Sequence, residues 1–281
     1  MDFIKTSKLW VVLSSALIIF SVFAMVTKGF NLGIDFTGGT SLVLRFAQAK
    51  VELPAVRAIV HSDRAEVTLV DNKDFLIKTT LLTEVDKKDL LARLEKSFGT
   101  VTVLEADSIG PSIGKKLQSD ALLILMLAIA GMLIYVTFRF EFWYGLAAIL
   151  ALVHDCIITL GFVAWLQLDV NTALLAAILT ILGYSINDTI IVFDRVREDV
   201  IKTENKDKDI GQVVNTAILS TLGRCINTVL TVLIATGSLY LFGGMTIKQF
   251  AQVLLIGFSF GAYSSLCVAS PLYVFFKRNQ D

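Results

Sequence analysis

Apolar runs near residues 9–27, 120–138, 142–165, 172–193, 222–242 and 250–276 are each long enough to cross a hydrocarbon layer ~30 Å thick, which takes about twenty helical residues. Composition agrees: 55% hydrophobic residues, 18% charged residues and a mean hydropathy of +0.71 exceed what a water-soluble core needs. The chain therefore reads as a polytopic α-helical membrane protein with six transmembrane helices. An even number of spans returns both termini to one side. Lys5, Lys8, Arg139, Arg195, Arg197, Lys202, Lys206, Lys208, Arg224, Lys277 and Arg278 flank the spans on that side, against Lys248 in the opposite short loops. Basic short loops stay inside, so the termini are expected in the cytoplasm; the basic residues of the long 28–119 segment do not count, because long segments translocate regardless of charge. The first run is longer than a signal-peptide core, and removing it would break the agreement among the basic flanks, so it reads as a retained helix. The expected organisation is a first helix over 1–27, an extracytoplasmic domain with its connectors over 28–119 and a five-helix region over 120–281.

The 28–119 segment changes period. Residues 40–47 read as a strand, 52–62 as a helix, and 65–70 and 74–80 as a hairpin around Asp71-Asn72-Lys73. Thr83, with Asp86 at capping-box distance, opens a second helix that ends near Phe98-Gly99, before a strand over 101–107. The order βαββαβ is that of a split-βαβ, ferredoxin-like α+β domain, a fold that supports many functions and names none.

Several classes are disfavoured. A net charge of zero gives no basic footprint for nucleic acid. Cys156, Cys225 and Cys267 all fall in apolar runs and read as small core residues rather than disulfides. No CxxC or HExxH spacing occurs, and His61 and His154 lie in different segments, so neither a metal nor another cofactor is expected. No nucleotide site is visible, and the chain does not read as an enzyme.

Polar side chains inside spans are costly to hold in lipid and are therefore candidates for function. His154-Asp155 lies mid-helix in the third span, Tyr184-Ser185-Ile186-Asn187-Asp188-Thr189 interrupts the fourth, and Arg224 precedes Asn227, Thr228 and Thr231 in the fifth. At about 100° per residue, Thr180, Tyr184, Asn187, Asp188 and Asp194 share one helix face, and Leu182, Ile186, Ile190 and Phe193 the other. Arg224, Asn227, Thr228 and Thr231 likewise form one stripe, and the two stripes can meet with Asp188 and Arg224 at one depth. Desolvation favours a neutral carboxyl and a neighbouring guanidinium favours a charged one, so a carboxylate held between them can load and release a proton. The alternative is a buried ion pair or polar seam that only joins helices. For Asp155 the alternatives are evenly balanced, since adjacent helical residues point about 100° apart and His154 with Asp155 does not by itself form a relay. Asp194, Arg195 and Arg197 read as headgroup anchors, and Gly257 with Gly261 as a close helix contact.

These residues also carry a family likeness. Leu32-Gly33-Ile34-Asp35-Phe36-Thr37-Gly38-Gly39-Thr40, Ser108 to Gly114, Phe138-Arg139-Phe140-Glu141, His154-Asp155 and Leu179 to Glu198 resemble the signatures of the SecF family of protein-export membrane subunits. So do Gly223-Arg224-Cys225-Ile226-Asn227-Thr228, Leu241 to Gly244, Ala262 to Ser265 and Ala269-Ser270-Pro271. Two departures stand out: the family often has Ser-Arg-Thr where this chain has Gly223-Arg224-Cys225, and residues 47–108 match no motif. The resemblance implies half of a resistance-nodulation-division architecture in the bacterial inner membrane. It implies a SecD partner, the SecYEG channel, a translocating preprotein as cargo and use of the proton motive force. It places Asp188, Arg224, Asn187, Asn227, Thr228 and Asp155 along a proton path. The connector bearing Gly33, Asp35, Gly38 and Gly39 reads either as a pivot for a moving domain or as a plain tight turn. Two rival readings stand beside this: a half-transporter of the same superfamily exporting a small molecule, and a translocon scaffold without proton chemistry.

Overall fold

The structure, a computed structural model, describes residues 2–48, 51–60, 65–70, 74–203 and 209–279. In chain order its elements are α1 (Ser7–Lys28), β1 (Asn31–Leu32), α2 (Ile34–Thr37), β2 (Gly39–Phe46), α3 (Leu53–Val60), β3 (Glu66–Val70), β4 (Asp74–Thr79), α4 (Glu84–Phe98), β5 (Val101–Ile109), α5 (Pro111–Arg139), α6 (Phe142–Leu166), β6 (Asp169–Val170), α7 (Thr172–Thr203), α8 (Ile210–Phe242), α9 (Met245–Ser264), a π-turn (Ser265–Ala269) and α10 (Ser270–Arg278). Six helices are long and apolar enough to cross a membrane, the last running from Ile247 through the π-turn to Arg278. The chain is thus a multi-pass membrane protein. The helices outrun the apolar runs that announce them: the second begins at Pro111 and the fifth at Ile210. Hydropathy marks the part that sits in lipid, whereas the helices continue into polar sequence at their ends.

Two compact units divide the chain. The first comprises Met1–Asn31, Leu123–Asp169 and Ala173–Asp281. Its centre is α6 and the last span, each with 56% of its most apolar window buried, against 11% for α5 and for α8. Small residues set the seams. Gly161 of α6 lies so close to Ser21 of α1 that a Cβ there would strike the Ser21 Cα and Cβ, and Ser14, Ser21 and Ala24 are the buried residues of α1. Gly257 is pressed against the Ile181 side chain of α7, and a Cβ on Gly261 would lie 3.2 Å from the Ser185 Cβ, so this glycine pair serves close helix packing. Aromatic rings fill the wider gaps: Tyr144 stacks on Tyr273 at 3.9 Å and meets Phe193 edge-on at 5.1 Å. At the helix ends Arg139 pairs with Asp194 at 3.1 Å and Arg278 with Asp209 at 2.7 Å. Cys225 and Cys267 are buried, and Cys156 is half-buried; all three are free.

The second unit comprises Leu32–Leu122 and Val170–Thr172. Its four-stranded antiparallel sheet has the order β3-β4-β2-β5, so each crossover of the chain places a helix between strands that are not neighbours. Alternation along β2 and β4 sends Leu42, Leu44, Phe46, Phe75 and Ile77 to one face, where Val56 and Val60 of α3 and Leu90 and Leu94 of α4 cover them. The strands and helices lie within a few residues of their expected bounds, while the turn at Asp71-Asn72-Lys73 and His61 fall outside the described residues. The capping box is formed: Thr83 Oγ1 accepts the Asp86 N–H at 3.2 Å, and Asp86 Oδ2 accepts the Thr83 N–H at 3.1 Å.

Candidate functional site

Asp155, midway along α6, has no exposed surface. Its Oδ2 accepts hydroxyl hydrogen bonds from Ser185 of α7 at 2.6 Å and from Ser264 of α9 at 2.7 Å. Its Oδ1 is 3.0 Å from His154 Nδ1. When Asp155 is ionised it only accepts, and in that state the proton between the two groups sits on His154 Nδ1. Although their Cα–Cβ bonds diverge by about 100°, the two side chains turn toward one another across the helix surface. His154 itself is 5% exposed, and its Nε2 has no hydrogen-bond partner among the described residues.

One turn along α7, Asp188 is 4% exposed, and its Oδ1 also lacks a hydrogen-bond partner. It lines a narrow cleft with Ser185, Tyr184, Gly261 and the apolar Val229, Val232 and Phe258, a space fitting about one water molecule. The polar face read for α7 is therefore split. Thr180, Tyr184 and Asn187 are exposed, whereas Ser185, Asp188 and Thr189 turn inward, where the GxxxG glycines of α9 leave room for them. Thr189 hydrogen bonds Ser265 of the π-turn at 2.9 Å.

Arg224 is exposed on α8, as are Asn227 and Thr231, with Thr228 half-buried. The hydroxyls of Thr228 and Thr231 bond back to their own helix, at Arg224 O (2.9 Å) and Thr228 O (2.8 Å). The expected Asp188–Arg224 contact is not made. Arg224 is near enough to act electrostatically on Asp188, and no ion pair within 4.0 Å joins these two described residues. An arginine on a helix face with little intrachain cover has nothing to hold it inward. Ser185 and Thr189 belong to the polar interruption read in the fourth span, and Ser264 entered only with the family likeness. Hydroxyls cost little in an apolar run, and what the three bond is visible only in the packing.

The connector is tightly held within the second unit. Asp35 Oδ2 accepts the Thr172 backbone N–H at 2.8 Å and the Thr172 hydroxyl at 2.5 Å, which caps the start of α7. The Gly33 N–H donates to Val170 O at 2.9 Å. Gly38 (φ +74°) and Gly39 (φ +138°) take backbone angles that side chains resist, and a Cβ on Gly38 would lie 2.8 Å from the Pro111 Cα.

Among the described residues no group of His, Cys, Asp and Glu could hold a metal ion. Six candidate spans, three of which (α6, α7 and α9) build a buried hydroxyl–carboxylate cluster, with an α/β unit between the first two in chain order, describe a multi-pass membrane protein. The family model "Protein export membrane protein SecD/SecF, C-terminal" matches residues 89–279, and "SecD/SecF GG Motif" matches residues 23–50. Proteins named "Protein translocase subunit SecF" from Sebaldella termitidis and Calditerrivibrio nitroreducens are 38% and 37% identical, each over 98% of this chain and over 91% and 94% of their own lengths. The crystal structure of SecDF, a translocon-associated membrane protein from Thermus thermophilus, superposes with a TM-score of 0.90 at 35% identity, over 99% of this chain and 39% of that one. The chain belongs to the SecF family.

Proposed function

We propose that this chain is an accessory subunit of Sec protein translocation that works beside a SecD-type six-span partner and the SecYEG channel on a translocating preprotein. The observation that carries this reading is the face of α8: Arg224, Asn227 and Thr231 lie exposed on a membrane-spanning helix. Polar groups at that depth call for protein or water against them rather than lipid. A second bundle of similar build supplies that cover, and the neighbour of known structure, a SecDF chain of which this chain spans 39%, supports it.

In this reading the proton motive force drives the cycle. Asp188 takes up and releases the proton, Arg224 biases the exchange electrostatically, and Asn187, Asn227 and Thr228 line the approach, with Asp155 behind them. Residues 28–119 form the extracytoplasmic domain, a ferredoxin-like unit supported by its βαββαβ order and its strand order, and the termini lie on the cytoplasmic side of the bacterial inner membrane. The connector at Gly33, Asp35, Gly38 and Gly39 is the hinge segment of the cycle, held to Val170 and Thr172 within its own unit. Its tight packing favours a stiff link over a free pivot.

The test is Asp188→Asn, which keeps size and hydrogen bonding but does not titrate. It assembles with the SecD-type partner and abolishes the gradient-dependent part of export into inverted membrane vesicles, and Arg224→Met does the same. Export at the parent level by both variants across a range of imposed pH gradients refutes the proposal.

A further inference from the structure

The bundle interior holds a carboxylate, Asp155, with three hydrogen-bonding neighbours: His154 Nδ1 at 3.0 Å, the Ser185 hydroxyl at 2.6 Å and the Ser264 hydroxyl at 2.7 Å. Two of those hydroxyls share one oxygen, Oδ2. Ser185 and Asp188 also line one narrow cleft, and Asp188 Oδ1 is buried without a hydrogen-bond partner. One serine therefore borders both carboxylates, and the largely apolar cleft, with Asp188, Ser185 and Tyr184 as its polar residues, has room for about one water molecule.

We propose that Ser185 is a proton relay between the Asp188 cleft and an interior holding site at Asp155, with His154 and Ser264 fixing the orientation of the Asp155 carboxyl. This rests on the proton-coupled reading above and extends it by a second station. In one transfer, protonated Asp188 gives its proton to a water in the cleft, and that water passes one of its own protons to Ser185 Oγ. Ser185 then passes its original hydroxyl proton to Asp155 Oδ2. One proton has moved: Asp188 is left ionised, Asp155 is neutral, and the water and the serine are regained. His154 Nδ1–H stays on Oδ1 throughout, so the oxygen that receives the proton is the one facing the two hydroxyls.

The setting suits such a site. From α6 itself only His154 and Cys156 stand beside Asp155; α7 brings Ser185 and, one turn away, Asp188 with Arg224 acting on it. The last span brings Ser264, with Tyr263 ring-to-ring with His154 at 6.1 Å and Cys267 near Tyr263. From α1, packed on α6, come the Ser14 hydroxyl, bonded to Tyr263 at 2.9 Å, and the unpartnered Ser21 hydroxyl. Tyr273 of α10 is stacked on Tyr144, several turns from the site. No cation among these compensates an ionised Asp155 except a doubly protonated His154, so the charge there is held by hydrogen bonds alone and is free to be exchanged for a proton.

The experiment uses the full chain co-reconstituted with a SecD-type partner in liposomes containing a pH dye, with an imposed pH gradient as the probe. Ser185→Ala is expected to assemble, to melt within the spread of the parent complex and to slow proton entry roughly 100-fold, the low end of what a positioned proton-transferring group contributes. Ser264→Ala, which orients Asp155 without lining the cleft, slows it less. The double variant Ser185→Ala/Asp155→Asn is no slower than Asp155→Asn alone, because both act on one path. Where Ser185→Ala does not assemble, Asp155→Asn, of equal size and still hydrogen bonding, decides the matter. Parent-level proton entry in Ser185→Ala or in Asp155→Asn while Asp188→Asn abolishes it overturns the relay and leaves the proton role of Asp188 standing. Parent-level entry in Asp188→Asn as well overturns the reading beneath it.

Discussion

Replacing Gly161 by alanine attacks the seam between α1 and α6. The added methyl meets the Cα and Cβ of Ser21, both far inside the ~3.5–4.0 Å at which carbon atoms rest against one another. Neither atom belongs to a flexible side-chain end, so the relief has to come from parting the two helices by about 1–1.5 Å. Overpacking of this kind costs about 1–3 kcal/mol. Alanine also repays up to ~1 kcal/mol as a better helix former than glycine, which would mask part of the loss. Gly131→Ala on α5 removes that ambiguity, because nothing lies within 4 Å of a Cβ there and only the propensity gain applies. The difference between the two variants therefore isolates the seam at about 1–3 kcal/mol. Thermal unfolding of the purified chain in detergent, followed by far-ultraviolet circular dichroism, is expected to rank Gly161→Ala below Gly131→Ala by several degrees. Equal melting of the two would show that α1 does not lean on Gly161 and would refute the close-packed seam.

Two further outcomes concern the second unit. Thr83→Ala removes the capping box of α4 and is expected to cost about 1 kcal/mol, read as faster amide exchange in the first turn of that helix. The Thr83 hydrogen bonds hold the Asp86 carboxyl below its usual range, so their contribution is present above the unfolded value and is lost as pH falls through the lowered one. The gap between parent and Thr83→Ala should accordingly narrow in strong acid, and a gap unchanged by acid would contradict the assignment. Asp35→Ala strips the acceptor from the Thr172 N–H and hydroxyl and should loosen the first turn of α7 by about 0.5–2 kcal/mol in amide exchange, with Asp35→Asn milder; parent-level protection in Asp35→Ala would refute the cap.

The sequence carried the spans because lipid imposes a long apolar run that little else produces, and it carried the strands and helices of the second unit because period and capping chemistry are local. Thr83 with Asp86 is read correctly from four residues. What it did not carry was facing. A period of 3.6 placed Asp188 with Thr180, Tyr184 and Asn187, yet the boundary of a helix face is set by its neighbours: Gly257 and Gly261 admit α7 so closely that Ser185, Asp188 and Thr189 fall inside. The bond between His154 and Asp155 was not legible from Cα–Cβ directions, because rotamers decide it. Asp35 was legible as part of a glycine-rich connector, but its partner Thr172 lies 137 residues away, and no local pattern links them.

The exposed face of α8 also bears on how the chain is supplied. An arginine toward the end of a spanning helix costs less on insertion than one at its centre, but the cost persists for as long as that face meets lipid. A copy made in excess keeps that penalty, and with it a helix more easily pulled from the bundle by membrane-bound quality-control proteases than one with its polar stripe covered. A polar stripe facing lipid is thus a standing cost that cover by protein or water removes.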